Sequence, residues 1–477
     1  MWLEKVIKMI RKYFYTFILI AITFSVKAEG YRIFIHWQGN EDSTIILAHY
    51  YDSNRYVNDT LILNEKGEGV LSGDKALQQG LYFLYHRDND WFDFLIGEDQ
   101  TMDIKTDAGN AQNNLEISGA TDSENFVKYQ KVLKEKVKEK EDLSTALKSK
   151  DPDEKKAAQN KVLEIDNGMQ QFVDSAIKQS PNSMYGLFLR VATQIVVPDP
   201  PFDKSIEKYD SLAWFYGYNY RRDHFLDGLD FTDERMMFTP VLKPKLDAYF
   251  NQVLIQTPDS IIPQAKKLLD KSEPNPKMLQ YITQFLLNNS LQSKIMGMDA
   301  VFVYIADNVY LNGKATWADS TVVAKIAEEA YLTRPNLIGK VAPDFTMENL
   351  NGEYESLHLS QGNYTIVVFY EYDCGHCMKD IPELYNDVYM KFIDYNIEVY
   401  AVCMNNDRNK WKKFVEDNGL EGWHHLFGSD NQSLYRFKYN TKTTPTVYLL
   451  DKDKKIIAKK LDNANLSKLL SVLLKEN

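Results

Sequence analysis

Cysteine is the rarest residue type in this chain. Three cysteines occur among 477 residues, and all three come after residue 370. This distribution excludes a small disulfide-stapled scaffold, because such folds place many cysteines along a short chain. A chain of this length can bury hydrophobic cores of its own and needs no staples for stability. The three cysteines are therefore better explained by chemistry than by structural bracing.

An excess of positive charge is also lacking. The chain holds 56 Lys and Arg against 67 Asp and Glu, which gives a formal net charge of −11 at pH 7. No cluster of basic residues interleaved with aromatic residues stands out in the sequence. Because non-specific binding to nucleic acid depends on such clusters, nucleic acid is not an expected partner.

The apolar run at the N-terminus is short. It reads YFYTFILIAITFSV and follows a basic stretch. Val26-Lys27-Ala28 at its end places small residues at the two positions that a signal peptidase reads. The apolar run is shorter than the ~20 residues that a membrane-spanning helix needs. Residues 1–28 are therefore predicted to be a signal peptide that directs export. An uncleaved membrane anchor and a true start at Met9 are the alternatives.

Three segments of different character follow the leader. Residues 29–118 alternate apolar and polar residues over short stretches between turn residues, which predicts an antiparallel β-sandwich. Residues 119–335 show helical periodicity interrupted by prolines and are predicted to be an all-α domain. Residues 336–477 alternate strand-like and helix-like segments, the pattern of an α/β layer fold. The sequence thus predicts a multidomain protein.

Two cysteines, Cys374 and Cys377, lie where a predicted strand, TIVVFYEY, meets a predicted long helix. A cysteine at a helix N-terminus faces unpaired N–H groups and the positive end of the helix dipole, and both stabilise a thiolate. Cys374 is therefore the expected nucleophile and Cys377 its partner. A protonated His376 between them favours the thiolate further, whereas the carboxylate of Asp373 opposes it.

The same pair of cysteines could instead form a structural staple or a metal site. A disulfide across two residues would constrain the unfolded chain very little. A zinc site would show a second pair of cysteines or histidines at a regular spacing. The available candidates, Cys403 and His424–His425, lack such a spacing. A redox pair is therefore favoured, and no metal is expected.

The strings CGHCMKDIP and TTPTVYLLD resemble the thioredoxin superfamily, and within it the exported TlpA-like thiol-disulfide oxidoreductases. The resemblance covers residues 338–477 and begins with VAPDF. It implies a thioredoxin-like fold and catalysis through a reversible disulfide between the two cysteines, with no other cofactor. Proteins of this branch work in the periplasm or cell envelope, in agreement with the predicted leader.

The same resemblance suggests roles for individual residues. Pro382 matches the proline that kinks the first long helix. Thr444 and Pro445 match the cis-proline that lies beside the redox pair and offers backbone groups to an extended substrate. Gly375 and Tyr372 are expected to complete this substrate-binding surface.

The chain departs from the family pattern at several positions. Val368 stands where thioredoxin has a buried acid, so that proton acceptor is missing. Asp380 matches the acidic position of the TlpA-like branch and is the candidate acceptor for the proton of Cys377. Glu371 is a second candidate. Tyr372 and Asp373 replace the family tryptophan, which is expected to alter the choice of partner.

The predicted function is an exported enzyme that exchanges disulfides with envelope proteins through the Cys374–Cys377 pair, in a direction that the sequence leaves open. Protein thiols or disulfides and a membrane or periplasmic electron donor are the expected partners, with self-association through the N-terminal domains as a further expectation. Cys403 is expected to be buried and inert, or else a regulatory thiol.

Two rival functions remain. The first is a thiol-dependent peroxide reductase, which would need Pro and Thr or Ser where Val367 and Glu371 stand. The second is an envelope binding or scaffold protein whose N-terminal domains carry the main function. Retention of both cysteines and of Pro445 argues against a redox-inert thioredoxin-like domain.

Overall fold

The computed structural model describes residues 30–41, 43–86, 90–428 and 437–475. The predicted signal peptide lies outside the described residues. Contacts between Cα atoms divide the chain into two units, with the division between Leu254 and Ile255. This division falls inside the predicted all-α domain, whose boundaries stay a prediction. Each unit is described by itself.

The first unit begins with eight strands. They are β1 Tyr31–Gln38, β2 Thr44–Tyr51, β3 Asn54–Ile62, β4 Glu68–Gly73, β5 Gly80–His86, β6 Asp90–Ile96, β7 Thr101–Asp107 and β8 Glu116–Ser118. They form two four-stranded sheets, with strand orders β4-β1-β7-β8 and β3-β2-β5-β6. Alternate residues of β1, including Trp37, are buried in one core together with Phe92 and Phe94 of the other sheet. The two sheets therefore pack face to face as the predicted sandwich, because their apolar faces share one core.

One strand pair differs from the expected antiparallel pattern. β1 and β7 run parallel, with Ile33 opposite Met102 and Ile35 opposite Ile104. The other pairs in both sheets are antiparallel. Alternating hydrophobicity indicates which face of a strand is buried, but it does not fix the direction of the neighbouring strand. The sandwich prediction is confirmed, and its purely antiparallel character is wrong for this pair.

Helices complete the first unit. They are α1 Thr121–Asp142, α2 Ser144–Leu147, α3 Pro152–Gln179, α4 Met184–Ala192, α5 Tyr209–His224 and α6 Leu242–Ala248. The side chains of Asp151 and Ser183 accept hydrogen bonds from backbone N–H groups at the starts of α3 and α4, which are standard N-caps. Among the described residues, none of the helices has the length and apolarity needed to cross a bilayer.

The second unit opens with four helices and continues into a mixed sheet flanked by three more. The first four are α7 Pro258–Ser272, α8 Pro276–Gln292, α9 Asp299–Ile305 and α10 Ser320–Thr333. The strands are β9 Thr346–Asn349, β10 Tyr354–Ser356, β11 Tyr364–Tyr370, β12 Ile397–Cys403, β13 His424–Phe427, β14 Thr446–Asp451 and β15 Ile456–Lys459. The remaining helices are α11 Gly375–Glu383, α12 Arg408–Asp417 and α13 Asn463–Leu473.

β11 is an interior strand with a neighbour on each side, in the sheet order β10-β9-β13-β12-β11-β14-β15. It runs parallel to β12 and antiparallel to β14. Its side chains alternate between two cores: Val368 and Tyr370 belong to one, and Val367 and Phe369 to the other. A strand covered on both faces needs a continuous apolar run, which is why this segment reads TIVVFY. The predicted α/β thioredoxin-like fold is confirmed.

A buried ion pair joins the sheet edge to the preceding helices of the same unit. The ammonium group of Lys459, at the end of β15, contacts the carboxylate of Asp299 at the start of α9. It also donates a 2.6 Å hydrogen bond to the backbone carbonyl of Asn336. The Lys459 side chain is only 7% exposed. Because an unpaired buried charge is costly, these two partners are what permit a lysine at this position.

Candidate functional site

The first cysteine of the pair sits at the N-cap of α11, after a short loop that leaves the end of β11. Cys374 has an extended backbone conformation with φ −77° and ψ 125°, and its carbonyl accepts the first helical hydrogen bond, from Met378 N–H at 3.0 Å. Its own N–H donates to the carbonyl of Glu371 at 3.2 Å. The predicted position at a strand-to-helix junction therefore matches the structure.

The surroundings of Cys374 stabilise its thiolate. The backbone N–H of Cys377 hydrogen-bonds the sulfur and lowers the pKa of the Cys374 thiol below its ordinary value, with a smaller contribution from the backbone of His376. These are the free N–H groups of the first helical turn, which are available because no earlier turn exists to accept them. Partial burial of Cys374 acts in the opposite direction, but the pKa of its thiol remains below the ordinary value.

The second cysteine lies in a different environment. Cys377 is fully buried in the core beneath β11, which includes Val368 and Ile381. Burial raises the pKa of its thiol to about 12, and the nearby sulfur of Cys374 contributes in the same direction. Placing the pair one helical turn apart leaves one thiol partly exposed with a lowered pKa and the other fully buried with a raised pKa. This asymmetry distinguishes an attacking sulfur from a resolving one.

The helix is shorter than its sequence pattern predicts. α11 ends at Glu383, and a π-helical turn covers Leu384–Tyr389. Pro382 lies inside the α-helical part. A proline there lacks an N–H and crowds the carbonyl four residues earlier, so a regular helix cannot continue unchanged past it.

The segment before β14 comes close to the nucleophile. The peptide bond between Thr444 and Pro445 is cis. The thiol of Cys374 lies 3.5 Å from the carbonyl oxygen of Thr444. The hydroxyl of Thr444 donates to the carboxylate of Glu371 at 3.2 Å. The structure thus brings two predicted site residues, which are 70 positions apart in the sequence, within one hydrogen bond of each other.

The other predicted site residues surround this centre at different depths. Gly375 and His376 are exposed at the start of α11, and Tyr372 is half-buried in the loop. Asp380 is half-buried, and its backbone carbonyl accepts a 2.8 Å hydrogen bond from the side chain of Asn463. The pKa of the Cys377 thiol is affected by the backbone of Glu371 and by the side chains of Thr444 and Cys374. The role of Asp380 as proton acceptor stays a prediction.

Asn405, two residues past β12, is a site residue that sequence reasoning missed. Its side-chain oxygen accepts the backbone N–H of Tyr372 at 2.7 Å, and its side-chain nitrogen donates to the carboxylate of Asp373 at 2.7 Å. The thiol of Cys403 also points to that oxygen, at 3.7 Å. No local sequence signal could have indicated the contacts with the loop, because they join positions 33 and 32 residues apart.

The residues considered for a zinc site are engaged elsewhere. His424 pairs with Glu355 at 2.5 Å and stacks on Tyr400, and His425 contacts the carbonyl of Leu420 at 2.6 Å. Cys403 is fully buried, and burial raises the pKa of its thiol to about 12. Within the described ranges, no group of three or more His, Cys, Asp and Glu residues has an arrangement that could hold a metal ion.

The asymmetry of the thiols leads to a direct chemical prediction. In the reduced native protein at pH 7.5, iodoacetamide should modify Cys374 at least about tenfold faster than Cys377 or Cys403, because only a thiolate attacks and one pKa unit changes its fraction tenfold. Mass spectrometry of timed samples measures the sites, and denatured protein, in which all three thiols react, is the control. Comparable native rates at Cys377 would contradict the assignment of the nucleophile.

The C-terminal segment that carries this site is similar to known proteins. Residues 338–459 match the model of the AhpC/TSA family. The thiol-disulfide oxidoreductase ResA of a Bacillus cereus strain is 28% identical over 122 residues, which cover 26% of this chain and 68% of that protein. The same-named protein of Geobacillus kaustophilus is 28% identical over 116 residues, which cover 24% of this chain and 64% of that protein. These likenesses confirm the expected family for the C-terminal segment and its oxidoreductase class.

Solved structures include similar domains. A domain of a possible thiol-disulfide isomerase from Cytophaga hutchinsonii ATCC 33406 is 36% identical and aligns with 29% of this chain and 95% of that one, with a TM-score of 0.28. A thioredoxin-like protein from Bacteroides caccae ATCC 43185 is 17% identical over 59% of this chain and 99% of that one, with a TM-score of 0.44.

Proposed function

Because the C-terminal segment of this chain belongs to the thioredoxin superfamily, as a TlpA-like module, we propose that it exchanges disulfides with other proteins through Cys374 and Cys377. The observation that carries this proposal is the asymmetry of the pair. Cys374 is accessible and has a lowered pKa, whereas Cys377 is buried directly behind it with a raised pKa.

The exchange follows from these two environments. The Cys374 thiolate attacks one sulfur of a partner disulfide, forms a mixed disulfide and releases the other partner sulfur as a thiolate, which takes up a proton. Cys377 then loses its proton and attacks the Cys374 sulfur. This step forms the Cys374–Cys377 disulfide and releases the second partner sulfur, so two electrons pass to the partner. The reverse sequence oxidises a partner dithiol.

Several groups around the pair have roles in this scheme. An extended partner segment would lie beside the attacking sulfur, along Thr444 and Pro445, together with Gly375 and Tyr372. The carbonyl oxygen of Thr444, 3.5 Å from that sulfur, supports this placement. Asp380 and Glu371 are the candidates to accept the proton of Cys377. Glu371 is connected to the site by a hydrogen bond from the hydroxyl of Thr444.

We place this activity outside the cytoplasm, in the periplasm or cell envelope. The proposal rests on the basic and apolar leader read from residues 1–28. The partners would then be thiols and disulfides of envelope proteins, with a membrane or periplasmic donor that restores the reduced pair. The N-terminal sandwich and helices would position clients or mediate self-association.

A redox titration with trapping of intermediates tests the function. Equilibration of the purified protein with thiol–disulfide buffers should give a two-electron transition that disappears in the Cys377→Ala variant. That variant should instead accumulate mixed disulfides with a model disulfide protein. A potential of about −270 mV would indicate a reductase, and one of about −120 mV an oxidase. Absence of exchange and of trapped species in an intact fold would overturn the proposal, and turnover of hydrogen peroxide alone would favour the peroxide reductase.

A further inference from the structure

The loop between β11 and α11 is held by one side chain that follows another strand. Asn405 contributes both ends of its amide: the oxygen accepts Tyr372 N–H, and the nitrogen donates to the Asp373 carboxylate, each at 2.7 Å. These partners fix the orientation of the amide, since an N–H requires an acceptor and a carboxylate requires a donor. The two residues held in this way are those that immediately precede Cys374.

We propose that Asn405 is a positioning residue for the redox pair, which fixes the loop before Cys374 and keeps the Asp373 carboxylate hydrogen-bonded beside the end of β12. The inference deepens the proposed function and rests on it. It concerns how readily the sulfur of Cys374 carries a negative charge. This property affects whether the pair tends to reduce or to oxidise its partner.

Two physical effects connect Asn405 to the sulfur. The first is geometric: the N-cap position of Cys374 depends on the path of residues 372–373, and the thiolate is stabilised only while the first-turn N–H groups face it. The second is electrostatic: a carboxylate adjacent to the nucleophile disfavours a second negative charge, and a hydrogen bond to that carboxylate disperses part of its charge.

Other charged and titratable groups near Cys374 are left in place when Asn405 is changed. They are Cys377 and His376 on α11 and Glu371 on the loop, with the uncharged Thr444 from the segment before β14. The hydrogen bonds of the Asn405 amide run instead to residues 372–373 and to the buried thiol of Cys403. A substitution of Asn405 therefore changes the contacts of the loop and leaves the residues of the redox pair themselves unaltered.

The test compares five proteins: wild type, Asn405→Ala, Asn405→Asp, Asp373→Asn and the exchange variant that combines the last two. Asn405→Asp places two carboxylates against each other, whereas the exchange variant restores a donor at position 373 opposite a carboxylate at 405. The pH profile of iodoacetamide alkylation at Cys374 is the readout, followed by mass spectrometry. It requires no partner disulfide, so it is independent of whether the proposed exchange occurs.

At pH 6.5 we expect alkylation of Cys374 to slow about threefold in Asn405→Ala and about tenfold in Asn405→Asp, equivalent to pKa increases of about half a unit and one unit. Asp373→Asn should react at least as fast as wild type, and the exchange variant should return to within about twofold of it. A purely structural role would lower the melting temperature and leave the pH profile unchanged. An unchanged profile in Asn405→Asp, or no recovery in the exchange variant, would overturn the inference.

Discussion

We expect the Cys374→Ser variant to lose thiol-disulfide exchange by about a thousandfold or more, because a serine hydroxyl does not ionise near neutral pH and cannot form the mixed disulfide. The rate of reduction of a model disulfide protein, with a chemical reductant restoring the pair, is the measurement. The fold should be intact, since Cys374 caps the helix through its backbone and makes no side-chain cap.

Cys403 provides the matched control for this loss. It is fully buried, its thiol pKa is raised to about 12, and it lies opposite Tyr370 where β12 pairs with β11. The Cys403→Ala variant should therefore keep exchange within about threefold of wild type, because the Cys403 thiol points to the side-chain oxygen of Asn405. The buried thiol that interacts with the Cys374 sulfur, and would resolve a mixed disulfide, is that of Cys377. A regulatory third cysteine would show itself as an exchange rate or potential that changes markedly in this variant.

The second large effect concerns stability at Trp411. This residue of α12 is fully buried, its indole N–H donates to the hydroxyl of Tyr370 at 3.1 Å, and its ring lies 5.1 Å from that of Phe427. Trp411→Ala should lower the free energy of unfolding by about 3–5 kcal/mol, because it removes these contacts and leaves a cavity under β11.

The Trp411→Phe variant separates packing from hydrogen bonding. It keeps an aromatic ring in the core and loses the N–H donor, so a cost of about 1–2 kcal/mol is expected. Guanidinium unfolding followed by far-ultraviolet circular dichroism measures both variants. If Trp411→Phe lowers the free energy of unfolding as much as Trp411→Ala, the hydrogen bond to Tyr370 contributes more to the stability of this part of the sheet than the volume of the ring. Because Tyr370 ends the strand that leads to Cys374, a weakened core should also slow exchange.

Local sequence signals were sufficient for much of the second unit. The continuous apolar run of β11, the cysteines at the start of the next helix and the proline within it each reflect one short stretch of chain, and the structure shows all three. The end of that helix was not predictable in the same way. The apolar pattern continues past Glu383, but Pro382 removes a helical hydrogen bond and the backbone turns through a π-helical segment.

Non-local pairing explains what sequence reasoning missed. The parallel pairing of β1 with β7 joins segments far apart in the sequence, and a pattern of buried positions carries no information on strand direction. Asn405 is a polar residue just past the end of a strand, and its importance arises only because β12 lies beside β11 and brings it to residues 372–373. The role of Asp380, by contrast, rests on family likeness and stays a prediction.

The ion pair of Lys459 bears on how the redox module can be separated from the rest of the chain. The family likeness starts at residue 338, which invites cutting the chain there for solution work. Such a cut would remove both Asp299 and the carbonyl of Asn336, and would leave the Lys459 ammonium at the end of β15 without either partner. A piece that begins near Ile255, upstream of α7, keeps both partners of Lys459, because Asp299 and Asn336 lie in the same unit as β15.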